Sequence, residues 1–87
     1  MSSKIYIEIA EKFPERLREI RLEKGLDQAD LAEKISVTRG AIGQFEQGLN
    51  LPSADTLSRL AQALDVSLDW LAGLSDRQNI RKPKAGE

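Results

Sequence analysis

The chain has 87 residues, of which 40% are hydrophobic and 31% are charged, and its net charge is −1; this predicts one domain with a single modest core. It contains no histidine and no cysteine, which removes the most common general base, thiolate metal sites and disulfides. We therefore expect a protein that is not an enzyme and uses no metal or cofactor. No apolar run nears the ~20 residues of a membrane span, and residues 1–12 lack a secretory signal, so we expect it to be cytoplasmic.

Charge is unevenly distributed along the chain. Acidic residues outnumber basic ones in segments 27–35 and 53–72, whereas segment 36–52 holds one charge of each sign, Arg39 and Glu46. Nucleic-acid-binding domains are usually basic, so the net charge of −1 argues mildly against such a partner. The segment between the two acidic ones is not itself acidic.

The first predicted helix runs from Pro14 to Lys24. Proline suits a first helical turn, where its missing N–H leaves no bond unmade. Leu17 and Ile20 lie three residues apart and form a buried stripe, and Gly25 is placed to end the helix.

Residues 1–12 form an N-terminal arm whose structure the pattern leaves open. Ile5, Ile7 and Ile9 alternate with other residues as in a strand, but Ile5, Ile9 and Phe13 also fit one face of a helix. A lone strand would need a partner, and no other segment has a strand pattern.

Two short helices follow, joined by a tight turn. Asp27 is the predicted N-cap of the helix at residues 28–35. Thr38 is the predicted N-cap of the next helix, which runs to about Gln47 and is ended by Gly48.

Packing residues are predicted on the inner sides of these two helices. The small Ala32 allows a close crossing, and Val37 fills the space between the helices. Ile42 and Phe45 anchor the second of them from below. Its outer face is then polar and small, which suits insertion into a groove. That face comprises Arg39, Gly40, Gly43, Gln44 and Gln47.

Two further helices complete the prediction. Ser53 is placed to cap residues 54–64, and Ser67 to cap a short helix that runs to about Ala72. The polar and basic residues 75–87 predict a flexible tail.

Three stretches carry a resemblance to a known family. They read RLREIRLEKGLDQADLAEKI, SVTRGAIGQFEQG and LPSADTLSRLAQALDVSLDWL, and together they cover about residues 13–74. In these stretches the chain resembles the Cro/C1-type (lambda-repressor-like, XRE) helix-turn-helix DNA-binding domains. The resemblance implies an all-α, compact bundle of about five short helices, with residues 1–12 as an arm, 13–74 as the domain and 75–87 as the tail.

The resemblance also implies a function. It predicts a transcriptional regulator, a repressor, that binds double-stranded DNA sequence-specifically as a homodimer on a near-palindromic operator, with no membrane and no small-molecule substrate. Independently of the resemblance, apolar residues left near a domain edge are the candidate dimer contacts: Leu68, Leu71 and Leu74, helped by the arm around residues 5–9. A protein-interaction module or an antitoxin with the same fold is the alternative.

The resemblance assigns roles to single residues. Gln28 and Thr38 would contact DNA phosphate, and Arg39, Gly40 and Gln44 would face base edges. Arginine pairs with guanine and glutamine with adenine through two hydrogen bonds each. Without the resemblance, these polar side chains fit an ordinary solvated surface equally well.

Further residues complete the predicted site. Gly43 and Gln47 lie on or beside the reading face, and Asn50 in the following loop is a candidate contact to the DNA backbone. Arg21 and Glu46 resemble the family's buried ion pair, which links the first helix to the end of the reading helix.

The chain departs from the family pattern in three ways. Ser36 occupies a turn position that is often glycine, and a left-handed backbone there would cost about 1 kcal/mol. Gly40 and Gly43 each weaken the reading helix by ~1 kcal/mol relative to alanine. Arg39 is the single cation of the face, so we expect weak, salt-sensitive non-specific binding.

Overall fold

A computed structural model describes residues 3–78 of the chain. The described part forms five α-helices and no strand, which confirms the all-α prediction. None of these helices has the length and apolar character needed to cross a bilayer. The helices are α1 (Ser3–Glu23), α2 (Gln28–Ile35), α3 (Arg39–Gln47), α4 (Ala54–Leu64) and α5 (Leu68–Ala72).

Helix α1 is longer than predicted. It begins at Ser3, so the predicted start at Pro14 is wrong and the strand alternative for the arm is wrong as well. Pro14 lacks one helical hydrogen bond, yet the helix continues through it because residues on both sides pack against the rest of the domain. Phe13 is fully buried in the core, and Arg16 donates a hydrogen bond to the Trp70 carbonyl in α5.

The other four helices begin at the predicted caps. Asp27 and Asp30 form a reciprocal capping box, in which each carboxylate accepts a hydrogen bond from the other residue's backbone N–H at 2.7 and 3.1 Å. Thr38, Ser53 and Ser67 each accept a hydrogen bond from the backbone N–H three residues further on. Each such cap stabilises its helix by about 1 kcal/mol.

The core lies where α1, α3 and α5 meet α2 and α4. The rings of Phe13 and Phe45 pack edge to face with centroids 6.1 Å apart. Ile42 is fully buried beside them, so the inner side of α3 is held firmly and its outer side remains exposed. Leu71 is also fully buried, so the prediction that it takes part in a dimer contact is wrong. The side chains with 0 or 1% exposure are Phe13, Leu17, Ile20, Leu31, Ile42, Leu60, Leu64, Val66 and Leu71.

The first residues of the predicted flexible tail lie against the domain. Arg16 donates to the Ser75 carbonyl at 2.8 Å and pairs with the Asp76 carboxylate at 3.2 Å. The Ser67 N–H donates to the Gln78 carbonyl at 2.7 Å, so the chain returns along α5 from its end to its beginning. The rest of the tail, residues 79–87, lies outside the described residues, and the division into arm, domain and tail stays a prediction.

Candidate nucleic-acid interface

The turn between α2 and α3 is closed by backbone hydrogen bonds. Ser36 adopts a left-handed backbone (φ 60°, ψ 46°), which is the conformation that makes serine unfavourable there by about 1 kcal/mol. The Val37 N–H donates to the Ala32 carbonyl at 3.0 Å and the Ser36 N–H to the Glu33 carbonyl at 3.3 Å. This pair of bonds satisfies the last carbonyls of α2 and turns the chain sharply into α3.

Arg59 supports this turn from α4, a role that the sequence did not predict. Its guanidinium donates to the Ile35 carbonyl at the end of α2 at 2.7 Å and pairs with Asp55 at 3.1 Å. A cation at a helix C-terminus also interacts favourably with the helix dipole. In the sequence, Arg59 stands out only as the single basic residue of the acidic segment 53–72.

The beginning of α3 is exposed. Thr38 caps it by accepting from the Ala41 N–H at 3.0 Å, and Thr38, Arg39 and Gly40 are all exposed. The unpaired N–H groups at this end give it a partial positive charge, which favours an anion such as a phosphate. Gln44 and Gln47 are exposed further along the same helix.

Neither glycine of α3 is required by packing inside the protein. A Cβ atom at Gly40 would meet only the Thr38 hydroxyl, at 3.9 Å. A Cβ atom at Gly43 would meet the Gln28 amide at 3.7 and 3.8 Å, which is ordinary van der Waals contact. Both positions could therefore hold alanine, at a gain in helix stability.

A chain of hydrogen bonds joins four of the predicted site residues. Arg39 donates to the Gln28 side-chain oxygen at 3.0 Å, and the Gln28 side-chain nitrogen donates to Glu46 at 3.1 Å. Glu46 in turn accepts two bonds from Arg21, at 2.6 and 3.0 Å. The exposed N-terminal end of α3 is thus connected to the interior through the first side chain of α2.

Arg21 and Glu46 form a buried ion pair between α1 and α3. Their side chains are 8 and 5% exposed. Arg21 also donates to the Leu26 carbonyl at 2.9 Å. Hydrogen bonds to Glu46 raise the pKa of Arg21 above its ordinary value, and the charges of Glu46 and Asp27 act in the same direction, against the opposing effect of burial. Arg21 therefore stays charged at neutral pH.

The remaining site residues lie around this network. Asn50 donates from its side-chain nitrogen to the Gln44 side-chain oxygen, so the loop after α3 contacts the reading face. Gln47 lines a small cleft with Gln28 and Gly43. No group of three or more acidic side chains within residues 3–78 is placed to hold a metal ion.

The arrangement suits recognition of another molecule by hydrogen bonds. A helix is anchored by Ile42 and Phe45 on one side. On its other side it presents one guanidinium, two glutamine amides and stretches of bare backbone. Such donors and acceptors match the edges of base pairs in the DNA major groove.

Comparisons with known proteins place these features in a family. The family model described as helix-turn-helix matches residues 17–71. The HTH-type transcriptional regulator YqaE of Bacillus subtilis, itself uncharacterized, is 41% identical over 73 residues, which are 84% of this chain and 63% of that protein. The chain spans about half the length of most of the curated relatives it matches.

Solved structures that are similar to the chain include two regulatory proteins. The restriction-modification controller protein C.AhdI of Aeromonas hydrophila is 39% identical, with a TM-score of 0.68, over 71% of this chain and 94% of that one. The P22 c2 repressor, solved with a synthetic operator, is 32% identical, with a TM-score of 0.69, over 72% of this chain and 96% of that one. The chain therefore belongs to the helix-turn-helix family of the Cro/C1 type.

Proposed function

We propose that the chain is a cytoplasmic repressor that binds double-stranded DNA sequence-specifically, as a dimer on a near-palindromic operator. The observation that carries this proposal is the exposed polar face of α3, anchored from behind by Ile42 and Phe45 and begun by Arg39. A helix held in this way can lie in the major groove with its first residues against the bases. Similarity to the P22 c2 repressor, whose structure was solved in complex with a synthetic operator, supports the assignment.

The base contacts are assigned to the outer side of α3. Arg39 pairs with guanine through two hydrogen bonds and Gln44 pairs with adenine. Gly40 and Gly43 have no side chains, so the helix backbone approaches the base edges closely at these two positions. Gln47 contacts the far end of the same half-site.

The phosphate contacts surround the base contacts. Thr38 and the N-terminal end of α3 face one phosphate, and Gln28 lies beside them at the beginning of α2. Asn50 contacts the backbone on the other side of α3. Because Arg39 is the only basic residue of α3, most of these contacts are neutral hydrogen bonds.

The proposed dimer follows from the size of the reading surface. One short helix reads only a few base pairs, which is too little to select one site among many. Two copies related by a two-fold axis would read two half-sites about one helical turn apart, ~34 Å, and would double the recognised sequence.

The test is selection of bound sequences from a random duplex pool. The chain should enrich a near-palindromic site, and Arg39→Ala and Gln44→Ala should each relax one symmetric pair of positions. Lys24→Ala and Gln62→Ala are matched controls, because both residues are exposed and lie outside α3. If the Arg39 and Gln44 variants select the same sites as stringently as the parent, the base contacts are wrong. If no duplex binds even at ~20 mM salt, the DNA-binding assignment is wrong.

A further inference from the structure

The beginning of α1 extends past the core of the domain. Ile5 is 54% exposed and Tyr6 is 61% exposed, although both lie in a regular helix. We name residues 4–8 the α1 overhang. The family match begins at residue 17, so the overhang lies outside the matched residues.

The apolar stripe of the overhang continues the core-facing stripe of α1. Ile5, Ile9 and Phe13 follow one another at intervals of four residues and so share one side of the helix. Phe13 is fully buried, Ile9 is partly buried against the core, and Ile5 is more than half exposed. The same stripe thus runs from the interior into solvent.

The end of α5 lies beside the overhang. A Cβ atom at Gly73 would stand 2.7 Å from the Lys12 Cβ and 3.2 Å from the Glu8 carbonyl oxygen, so the segment after α5 contacts α1 of the same chain. Leu74 follows directly and is 46% exposed. Leu74 is therefore an exposed apolar residue one position after the contact with Glu8 and Lys12.

The charged residues beside the stripe have opposite signs, so they can pair between two copies of the helix. Lys4 and Glu8 are one turn apart and lie on the same side of α1, next to Ile5 and Ile9. When two identical helices pair antiparallel about a two-fold axis, each side meets its own counterpart in reversed order. Lys4 of one copy then approaches Glu8 of the partner subunit, and this contact occurs twice.

We propose that the α1 overhang and Leu74 form the surface on which two copies of this chain pair, with the two α1 helices antiparallel. This inference rests on the dimer in the proposed function and adds the surface that forms it. The paired surface covers Ile5, Tyr6 and Leu74 of each copy. Because it is small, a dissociation constant on the order of 10 μM is expected in the absence of DNA.

The first test is sedimentation of the full chain without DNA, at concentrations from well below to well above the dissociation constant on the order of 10 μM expected here. Ile5→Glu should weaken dimerisation at least tenfold, because it buries a charge beside an apolar surface. Leu22→Glu is the matched control: Leu22 is 56% exposed on the same helix, outside the surface, and its variant should dimerise like the parent. Circular dichroism reports whether each variant is folded.

The second test uses the charged residues Lys4 and Glu8. It remains informative even if Ile5→Glu unfolds the protein. Lys4→Glu and Glu8→Lys should each weaken dimerisation several-fold, and an equimolar mixture of the two should recover it. An effect confined to a single helix could not produce this recovery.

The outcomes separate the inference from the proposed function. A parent dimer that neither Ile5→Glu nor the charge variants affect would overturn this surface and leave the dimer intact. A parent chain that is monomeric without DNA and binds its selected duplex as one copy would overturn both the surface and the proposed dimer.

Discussion

The guanidinium of Arg39 lies 3.0 Å from the side-chain oxygen of Gln28, so the first side chain of α3 is hydrogen-bonded to the first side chain of α2. The nitrogen of the same Gln28 amide donates to Glu46, which is held by Arg21. Because the far end of this chain of bonds is buried, Gln28 restricts the positions open to Arg39 before any DNA is present. Less side-chain freedom then remains to be lost on binding.

Gln28→Ala should reduce both affinity and selectivity. The lost hydrogen bond to Arg39 is worth about 1 kcal/mol, which corresponds to roughly a fivefold weaker complex. The reduction should be larger for the selected duplex than for one altered at the base pair that Arg39 reads. Fluorescence anisotropy titrations of both duplexes measure it, with Gln62→Ala as the control. Equal losses on the two duplexes would contradict a positioning role for Gln28.

Arg21→Ala should destabilise the fold strongly. It leaves the Glu46 carboxylate buried without its main partner, which costs ~3–5 kcal/mol, a large part of the stability of a domain of this size. Replacing both residues, as Arg21→Met with Glu46→Leu, should restore most of the loss because no buried charge remains. Urea unfolding followed by circular dichroism measures each free energy of unfolding. A single variant that loses less than ~1 kcal/mol would show that the pair is not a structural requirement.

The ion pair should contribute no pH dependence near neutral pH. The pKa of Arg21 is raised in the folded state, chiefly by its hydrogen bonds to Glu46. The associated stability is therefore fully present below the unfolded pKa of arginine and is lost only as pH rises through the higher folded pKa. The difference in unfolding free energy between the parent and the Arg21→Met, Glu46→Leu double variant should stay constant from about pH 7 to pH 10. A difference that shrinks steadily across this interval would contradict the assignment.

Alanine at two glycines should have opposite effects on stability. Gly40→Ala adds a methyl group that meets almost nothing, so the free energy of unfolding should rise by ~0.5–1 kcal/mol. Under the proposed function its DNA affinity should fall, because that methyl group stands between α3 and the bases. Gly73→Ala should lower stability, since Gly73 has φ +87° and its Cβ would overlap Lys12. Thermal unfolding and anisotropy titrations test both; a Gly40→Ala variant that binds DNA as well as the parent would exclude close backbone approach there.

Local chemistry made much of this fold predictable. Asp27, Thr38, Ser53 and Ser67 each cap a helix with their own side chain, and the bond they make spans only three residues. Short-range rules suffice for such contacts, so the beginnings of α2 to α5 follow from the sequence. The inner face of α3 followed as well, from the spacing of its apolar residues.

The tertiary structure decided what depends on residues far apart in the chain. Pro14 read by itself marks a helix start, but packing of residues 8–16 against α5 carries α1 through it. Arg59 became part of the turn only because α4 places it against the Ile35 carbonyl, 24 residues away in sequence. By itself, the sequence determined which segments become helices and which side of each is apolar, because those properties are local. The length of α1, the support of the turn and the exposure of Ile5 depended on how the helices pack, since packing energy outweighs the preference of any single residue.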